Sequence, residues 1–268
     1  MTTVSAGQLQ HQLLRQVATV RPAEASTFRI NGKDIGLVLP NALPFFLSLP
    51  EELRSALSFS GQSIELTCPA PELDERLDAM GRHWYRAGAL SRWCDELLDV
   101  VTHDGRIVAK AERAMFRFLG MTTTCVHGVG FQNGKWLMSL RSRTKLIQPG
   151  KWDTLVGGLV GAGESHRQAL QRETLEEAGL PPTSYRIGQP SVGLYERPLP
   201  DGWLREYSVT YPMYLLDSAS PRNMDGEVER IESVDGVTLL SRIADNQVTV
   251  EASLSFLSLM LDQEPFSV

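Results

Sequence analysis

The stretch GLVGAGESHRQALQRETLEEAGL, residues 158–180, decides how this chain is read. Three of its glutamates, Glu173, Glu176 and Glu177, stand at i, i+3 and i+4. At about 100° per residue they occupy one narrow arc of a helix. Like charges at that spacing repel by about 0.2–0.5 kcal/mol per pair. A helix that accepts this cost is expected to present the arc to a cation. Oxygen ligands clustered this way suit Mg²⁺ or Mn²⁺ rather than zinc. The usual companion of such a site is a phosphate-bearing substrate.

The flanking residues define the helix. Ser165 is placed to cap it, with Gln168 three residues on in capping-box spacing. Gly179 suits the left-handed position after the last turn, and Pro181 and Pro182 block continuation. The spacing predicts a helix from about Ser165 to Ala178. Ala169 and Leu170 share the arc of the glutamates, so that arc is expected to face the protein body and line a cleft. Upstream, Gly157, Gly158, Gly161 and Gly163 form a loop whose backbone can approach a ligand closely. Arg172 can pair with Glu176 at i+4 and orient it. Taken singly, a glutamate-rich helix is ordinarily a solvated face and a glycine-rich loop a turn. The joint spacing argues for a site.

That spacing resembles the Nudix box, G-x5-E-x7-R-E-U-x-E-E-x-G-U, where U is a bulky aliphatic residue. Gly158, Glu164, Arg172, Glu173, Glu176, Glu177 and Gly179 fill the fixed positions, and Leu180 fills the second U. Thr174, at the first U, is the one departure. The resemblance implies a Nudix hydrolase: an α/β/α sandwich with a mixed sheet, cleaving a nucleoside diphosphate linked to another moiety, or a related diphosphate. By the same resemblance Glu173, Glu176 and Glu177 are metal ligands, joined by the Gly158 carbonyl. Glu164 is an accessory carboxylate, and Arg172 orients the glutamates.

Composition sets the outer bounds. The 268 residues exceed one minimal domain of this kind and suit two modest ones. With 42% hydrophobic and 22% charged residues, the chain reads as an ordinary globular protein. A net charge of −6 argues against a nucleic-acid partner. Cys68, Cys94 and Cys125 lack ligand spacing, which is expected of reduced thiols in a cytoplasmic protein. No apolar run reaches the roughly 20 residues that span a bilayer, and the first residues lack the apolar core of a signal peptide.

A boundary near residue 120 divides the pattern into a smaller α+β first domain (1–120) and the box-bearing domain (121–268). Residues 4–20, 41–58 and 71–90 read as helices. Hairpins are expected around Asn31-Gly32, Asp104-Gly105 and Asn133-Gly134. Strands follow at 191–198, 205–216 and 226–234, and a helix at 249–262. ALSRWCDELLDV (89–100), VHGVGF (126–131), the run 141–165 and DGEVER (225–230) together resemble a branch of the family with an N-terminal extra domain. That branch is similar to the Nudix portion fused to some fungal thiamine pyrophosphokinases. The resemblance implies thiamine diphosphate, or an oxidised form of it, as substrate. The branch usually carries an arginine after the tryptophan of the first-half motif; Cys94 holds that place after Trp93 here.

Further candidates surround the box. Arg141, Arg143 and Lys145 precede it and can hold phosphate oxygens. Trp93 is a candidate wall for a flat ring, equally readable as core. Trp152 reads as packing, and Asp153 as a residue that fixes the loop. Glu227 and Glu229 fall on one face of a strand and offer a base or an extra ligand, Glu229 foremost. The histidines are dispersed, His166 alone lying on the glutamate arc. Three competing readings remain. ADP-ribose or NADH fits the same chemistry. RSRTKLIQPGKWDT (141–154) is similar to isopentenyl diphosphate isomerases, but their cysteine is missing from the following LVGGLVGAG. A non-catalytic binding module would lose box glutamates, and all four are present. The pattern leaves oligomeric state open.

Overall fold

A computed structural model describes residues 5–144, 148–224 and 226–262. The chain opens with α1 (Ala6–Val17), capped by Ser5 and Gln8 in a capping box. Four strands follow: β1 (Ser26–Ile30), β2 (Lys33–Val38), β3 (Leu57–Ser60) and β4 (Ser63–Leu66). They order as β2-β1-β4-β3, with β1 and β4 parallel and the other pairs antiparallel. Two short helices, α2 (Leu43–Leu47) and α3 (Glu51–Arg54), lie between β2 and β3. The long helix α4 (Leu73–Arg86), the hairpin β5 (Leu97–Val101) with β6 (Ile107–Glu112), and α5 (Met115–Leu119) complete the first half. Its core is aromatic: Phe28, Phe46, Trp84 and Phe116 are fully buried together, with Phe46 and Trp84 ring centroids 4.9 Å apart.

The expected single helix over 41–58 is therefore two short ones and the strand β3. Pro50 explains the break, because it lacks the N–H that a continuing helix needs, whereas Pro44 sits in the first turn of α2, where that N–H is not required. The hairpins at Asn31-Gly32 and Asn133-Gly134 form as expected. Both residues of each pair take positive φ, as tight β-turns of this kind require.

The second half is one mixed eight-stranded sheet between helices. It contains β7 (Thr122–Gln132), β8 (Lys135–Arg141), β9 (Trp152–Asp153), β10 (Val156–Leu159), β11 (Tyr185–Ile187), β12 (Ser191–Leu199), β13 (Gly202–Leu215) and β14 (Val228–Val234). The main path is β11-β13-β7-β8-β14, with β10 beside β7, β12 beside β13 and β9 beside β8. Among the described strands of this sheet β7 and β13 pair parallel and the other pairs are antiparallel. One face packs Val126, Val209, Tyr211 and Met213 against Ala169 and Leu170 of α6 (His166–Ala178). The other packs Val129 and Met138 against Leu239 of α7 (Gly236–Ala244) and Phe256 and Leu257 of α8 (Val250–Asp262). This is the α/β/α sandwich expected from the box, preceded by an α+β region.

Much of the first half packs in a core of its own, but contacts cross residue 120: Ala25 and Leu37 are buried with Trp203, and α1 packs on the second half. Leu9 joins the α7–α8 core, and Val17 is buried with Tyr195 and Leu254. Thr19 N–H donates to the Glu196 carbonyl at 2.8 Å. The apolar stripe of α1 needs cover, and α8 supplies it. Among the described residues no helix is long and apolar enough to cross a membrane.

Candidate active site

The site is built on α6. Ser165 and Gln168 form the reciprocal cap, and Gly179 ends the helix at φ 64°. Thr174 is fully buried, and its hydroxyl donates to the Leu170 carbonyl at 2.5 Å. A threonine therefore takes the aliphatic position of the box without leaving a polar atom unsatisfied. Burial of Ala169, Leu170, Thr174 and Ala178 turns one side of the helix to the sheet. Glu173 sits at the edge of that side with only 13% of its side chain exposed, whereas Glu176 is 53% exposed.

Arg172 is the hub. Its Nε donates to Glu164 Oε1 at 3.0 Å and its Nη2 to Glu164 Oε2 at 2.9 Å, a bidentate fork. Nη2 also reaches the Leu159 carbonyl at 3.1 Å. Nη1 donates to Glu173 Oε1 at 2.7 Å and to Glu176 Oε2 at 3.3 Å. One guanidinium thus fixes three carboxylates and ties them to the end of β10. The Arg172 pair holds the Glu164 carboxyl below its ordinary range. Burial pushes the Glu173 carboxyl up despite the Arg172 hydrogen bond, and the charges of Glu176 and Glu227 push the same way.

The floor of the site is β10. Gly157 N–H donates to Glu177 Oε2 at 2.9 Å. A Cβ added at Gly158 would stand 1.9 Å from Glu173 Oε1, so only glycine lets that carboxylate lie on the strand. Gly158 is paired with Val126 of β7, which fixes its backbone.

The donor set fits a hard divalent cation. It consists of carboxylate oxygens from one helix, and a buried carboxylate under like charge gains from a cation beside it. As they stand, the oxygens are turned onto Arg172 and Gly157. No three His, Cys, Asp or Glu groups among the described residues already converge to hold a metal.

The structure brings Gly158, Glu164, Arg172, Glu173, Glu176 and Glu177 together. Arg141 is ion-paired to Asp153 at 2.8 Å, and Asp153 also accepts from Thr154 N–H and the Thr249 hydroxyl. Arg143 is exposed on the turn after β8. Lys145 lies outside the described residues. Trp93 does not meet the box. Arg82 stacks on it 4.8 Å from its ring centroid, its centroid is 5.9 Å from that of Tyr85, and its Nε1 donates to Asp95 at 2.9 Å. Trp152 is buried beneath Arg242, whose guanidinium is 4.2 Å from the ring centroid.

The shared face expected of Glu227 and Glu229 is lost. β14 pairs Val228 with Arg141 and Arg230 with Leu140, so Glu229 is the extra residue of a bulge. The charge of Glu227 also acts on Glu173. His166 is exposed at the first turn of α6. Glu96 and Asp99 were not singled out in the sequence. Glu96 lines an open cleft with Gly161, Ala162, Gly163, Glu164, Gln168 and Arg172. Asp99 Oδ2 accepts from Gly163 N–H at 2.9 Å. Their part depends on how two distant segments dock, and no local spacing encodes that.

Comparison with known proteins agrees with this geometry. The NUDIX domain family model matches residues 122–249. An uncharacterized Nudix hydrolase of Streptomyces coelicolor is 40% identical over 86 residues, 32% of this chain and 48% of that protein. One of Yersinia pestis is 30% identical over 86 residues, 32% of this chain and 47% of that protein. The chain thus spans about half the length of the curated relatives it matches. The crystal structure of DR0079 from Deinococcus radiodurans superposes with a TM-score of 0.51 at 21% identity, covering 63% of this chain and all of that one. That likeness is one of fold. Residues 122–249 therefore match the NUDIX domain model, and an α+β first half precedes them.

Proposed function

We propose that the chain hydrolyses a diphosphate linkage with the help of Mg²⁺ or Mn²⁺. The observation that carries this reading is the Arg172 hub, which gathers Glu164, Glu173 and Glu176 over the Gly157–Gly158 floor. Glu173, Glu176 and Glu177 would hold the ion, with the Gly158 carbonyl as a fourth donor. When bound, a divalent ion neutralises diphosphate charge and makes water a better nucleophile near neutral pH. Arg172 orients the ligands, and Glu164 holds Arg172. Arg141, Arg143 and Lys145 supply positive charge for phosphate oxygens. Glu227 takes the proton-accepting role that sequence spacing gave first to Glu229, because its charge reaches the cluster.

For the organic group we propose thiamine diphosphate or an oxidised form, cleaved to the monophosphate and inorganic phosphate. Support comes from the whole-chain resemblance through residues 89–100, 126–131, 141–165 and 225–230. A panel of thiamine diphosphate, ADP-ribose and NADH with Mg²⁺, scored for released monophosphate, tests it. Much faster turnover of ADP-ribose or NADH rejects the thiamine reading and keeps the hydrolase. In the same assay Glu227→Gln is expected to lower kcat far more than Glu229→Gln. The reverse order returns the base role to Glu229.

A further inference from the structure

Each backbone N–H from Val160 to Ser165 has a partner, and two of these partners belong to the first half. Val160 donates to the Thr124 carbonyl at 2.9 Å, Gly161 to Glu164 Oε2 at 3.0 Å and Glu164 to the Gly161 carbonyl at 3.0 Å. Ser165 donates to Gln168 Oε1 at 2.9 Å. The other two cross to β5. Ala162 N–H reaches the Leu97 carbonyl at 2.9 Å, and Gly163 N–H reaches Asp99 Oδ2 at 2.9 Å. Gly163 has φ 74°, a left-handed conformation open to glycine at little cost.

β5 is itself braced. Glu112, 1% exposed, accepts from Cys94 N–H at 2.8 Å and from Glu96 and Ala114 N–H at 3.3 Å. Arg113 N–H donates to the Glu96 carbonyl at 2.8 Å, and its guanidinium pairs with the Glu96 carboxylate at 2.6 Å. The strand therefore enters the interface at a fixed height. From Asp99 the connection runs through Gly163 to its neighbour Glu164, then to Arg172, then to Glu173 and Glu176.

We propose that Asp99, with the Leu97 carbonyl, is a positioning element through which the first half sets the box loop, and with it the fork that Arg172 makes on Glu164. Its catalytic consequence rests on the hydrolase reading; the contact itself does not. The role of the first half is then to complete the catalytic geometry, in addition to any part in choosing substrate. Asp99 touches no reacting atom. It acts by holding the Gly163 amide from outside the box.

The test compares Asp99→Ala, Asp99→Ser and Asp99→Asn in the full chain. Three readouts are taken: hydrogen–deuterium exchange over residues 160–164, Mn²⁺ affinity by electron paramagnetic resonance without substrate, and kcat with KM. Asp99→Ala and the milder Asp99→Ser are expected to speed exchange at Gly163 and weaken Mn²⁺ binding. They are expected to lower kcat about tenfold, the scale of one lost charge-assisted hydrogen bond, with KM little changed. Asp99→Asn keeps an acceptor oxygen and is expected to restore most of each readout. A merely structural role would lower Tm while leaving Mn²⁺ affinity and kcat unchanged in the folded protein, and that result overturns the proposal. So does Gly163 exchange equal to wild type in Asp99→Ala. A chain inactive on every diphosphate rejects the hydrolase reading instead, while exchange and Mn²⁺ affinity still decide the role of Asp99.

Discussion

At Gly158 one hydrogen atom decides whether the site exists. The strand and Glu173 approach so closely that a methyl group there would overlap the carboxylate, standing 1.9 Å from its oxygen. Gly158→Ala is therefore expected to displace Glu173, costing about a hundredfold in kcat with the fold retained by circular dichroism. Wild-type kcat in a folded Gly158→Ala protein would show that Glu173 is not needed on the strand. Glu206 makes a second residue-level case, away from the box. It is buried on β13, with the Thr123 hydroxyl donating to Oε2 at 3.1 Å. Burial, then the charge of Glu251, pushes its carboxyl up to about 7. Below the unfolded value, 4.5, both states hold the proton and there is no penalty. Between 4.5 and about 7 the folded state keeps a proton that the unfolded chain releases, so stability falls as pH rises. Above that window the penalty is complete, on the order of 3 kcal/mol. Glu206→Gln is expected to raise Tm at pH 8 and hardly at all at pH 4.5. An equal change at both pH values would mean that Glu206 does not titrate on unfolding.

Among the elements, legibility followed local chemistry. The helix α6 was readable from Ser165, Gln168 and Gly179 because caps act within one turn. Two Asn-Gly hairpins were readable because few dipeptides tolerate two positive φ angles in succession. The segment 41–58 misleads because its apolar residues mimic a helix while Pro50 divides it. The β14 bulge that separates Glu227 from Glu229 was not readable, since it arises from pairing with β8. The partner of α1 was not readable either, because an amphipathic stripe does not say what covers it. Val17 of α1 is fully buried with Tyr195 and Leu254. Val17→Ala is expected to destabilise the fold by roughly 2 kcal/mol in urea unfolding. A change near zero would mean that α1 is a loosely held appendage.

For the whole molecule, the candidate site was legible to the extent that it is local. Gly158, Glu164, Arg172, Glu173, Glu176 and Glu177 lie within one short stretch, and the fold brings all six together. The first half and the site meet where local pattern is silent: Leu97 and Asp99 on the box loop, and Glu96 lining the same cleft as Arg172. Trp93, the first-half residue with the strongest sequence cue, packs instead on Arg82 and Tyr85 of its own domain. The loop before α6 is therefore shared between the α/β/α sandwich and the region that precedes it.

We propose that the clustered carboxylates of α6 hold a catalytic divalent ion. The most direct measurement is diphosphate hydrolysis by the full chain after exhaustive chelation, then on titration with Mg²⁺, in wild type and in Glu176→Gln and Glu177→Gln. No turnover is expected in chelator, with recovery on Mg²⁺ or Mn²⁺ and losses of about a hundredfold or more in each folded variant, beyond what removing an outer partner of a metal ligand costs. Full activity in excess chelator, or unchanged rates in both variants, would contradict it.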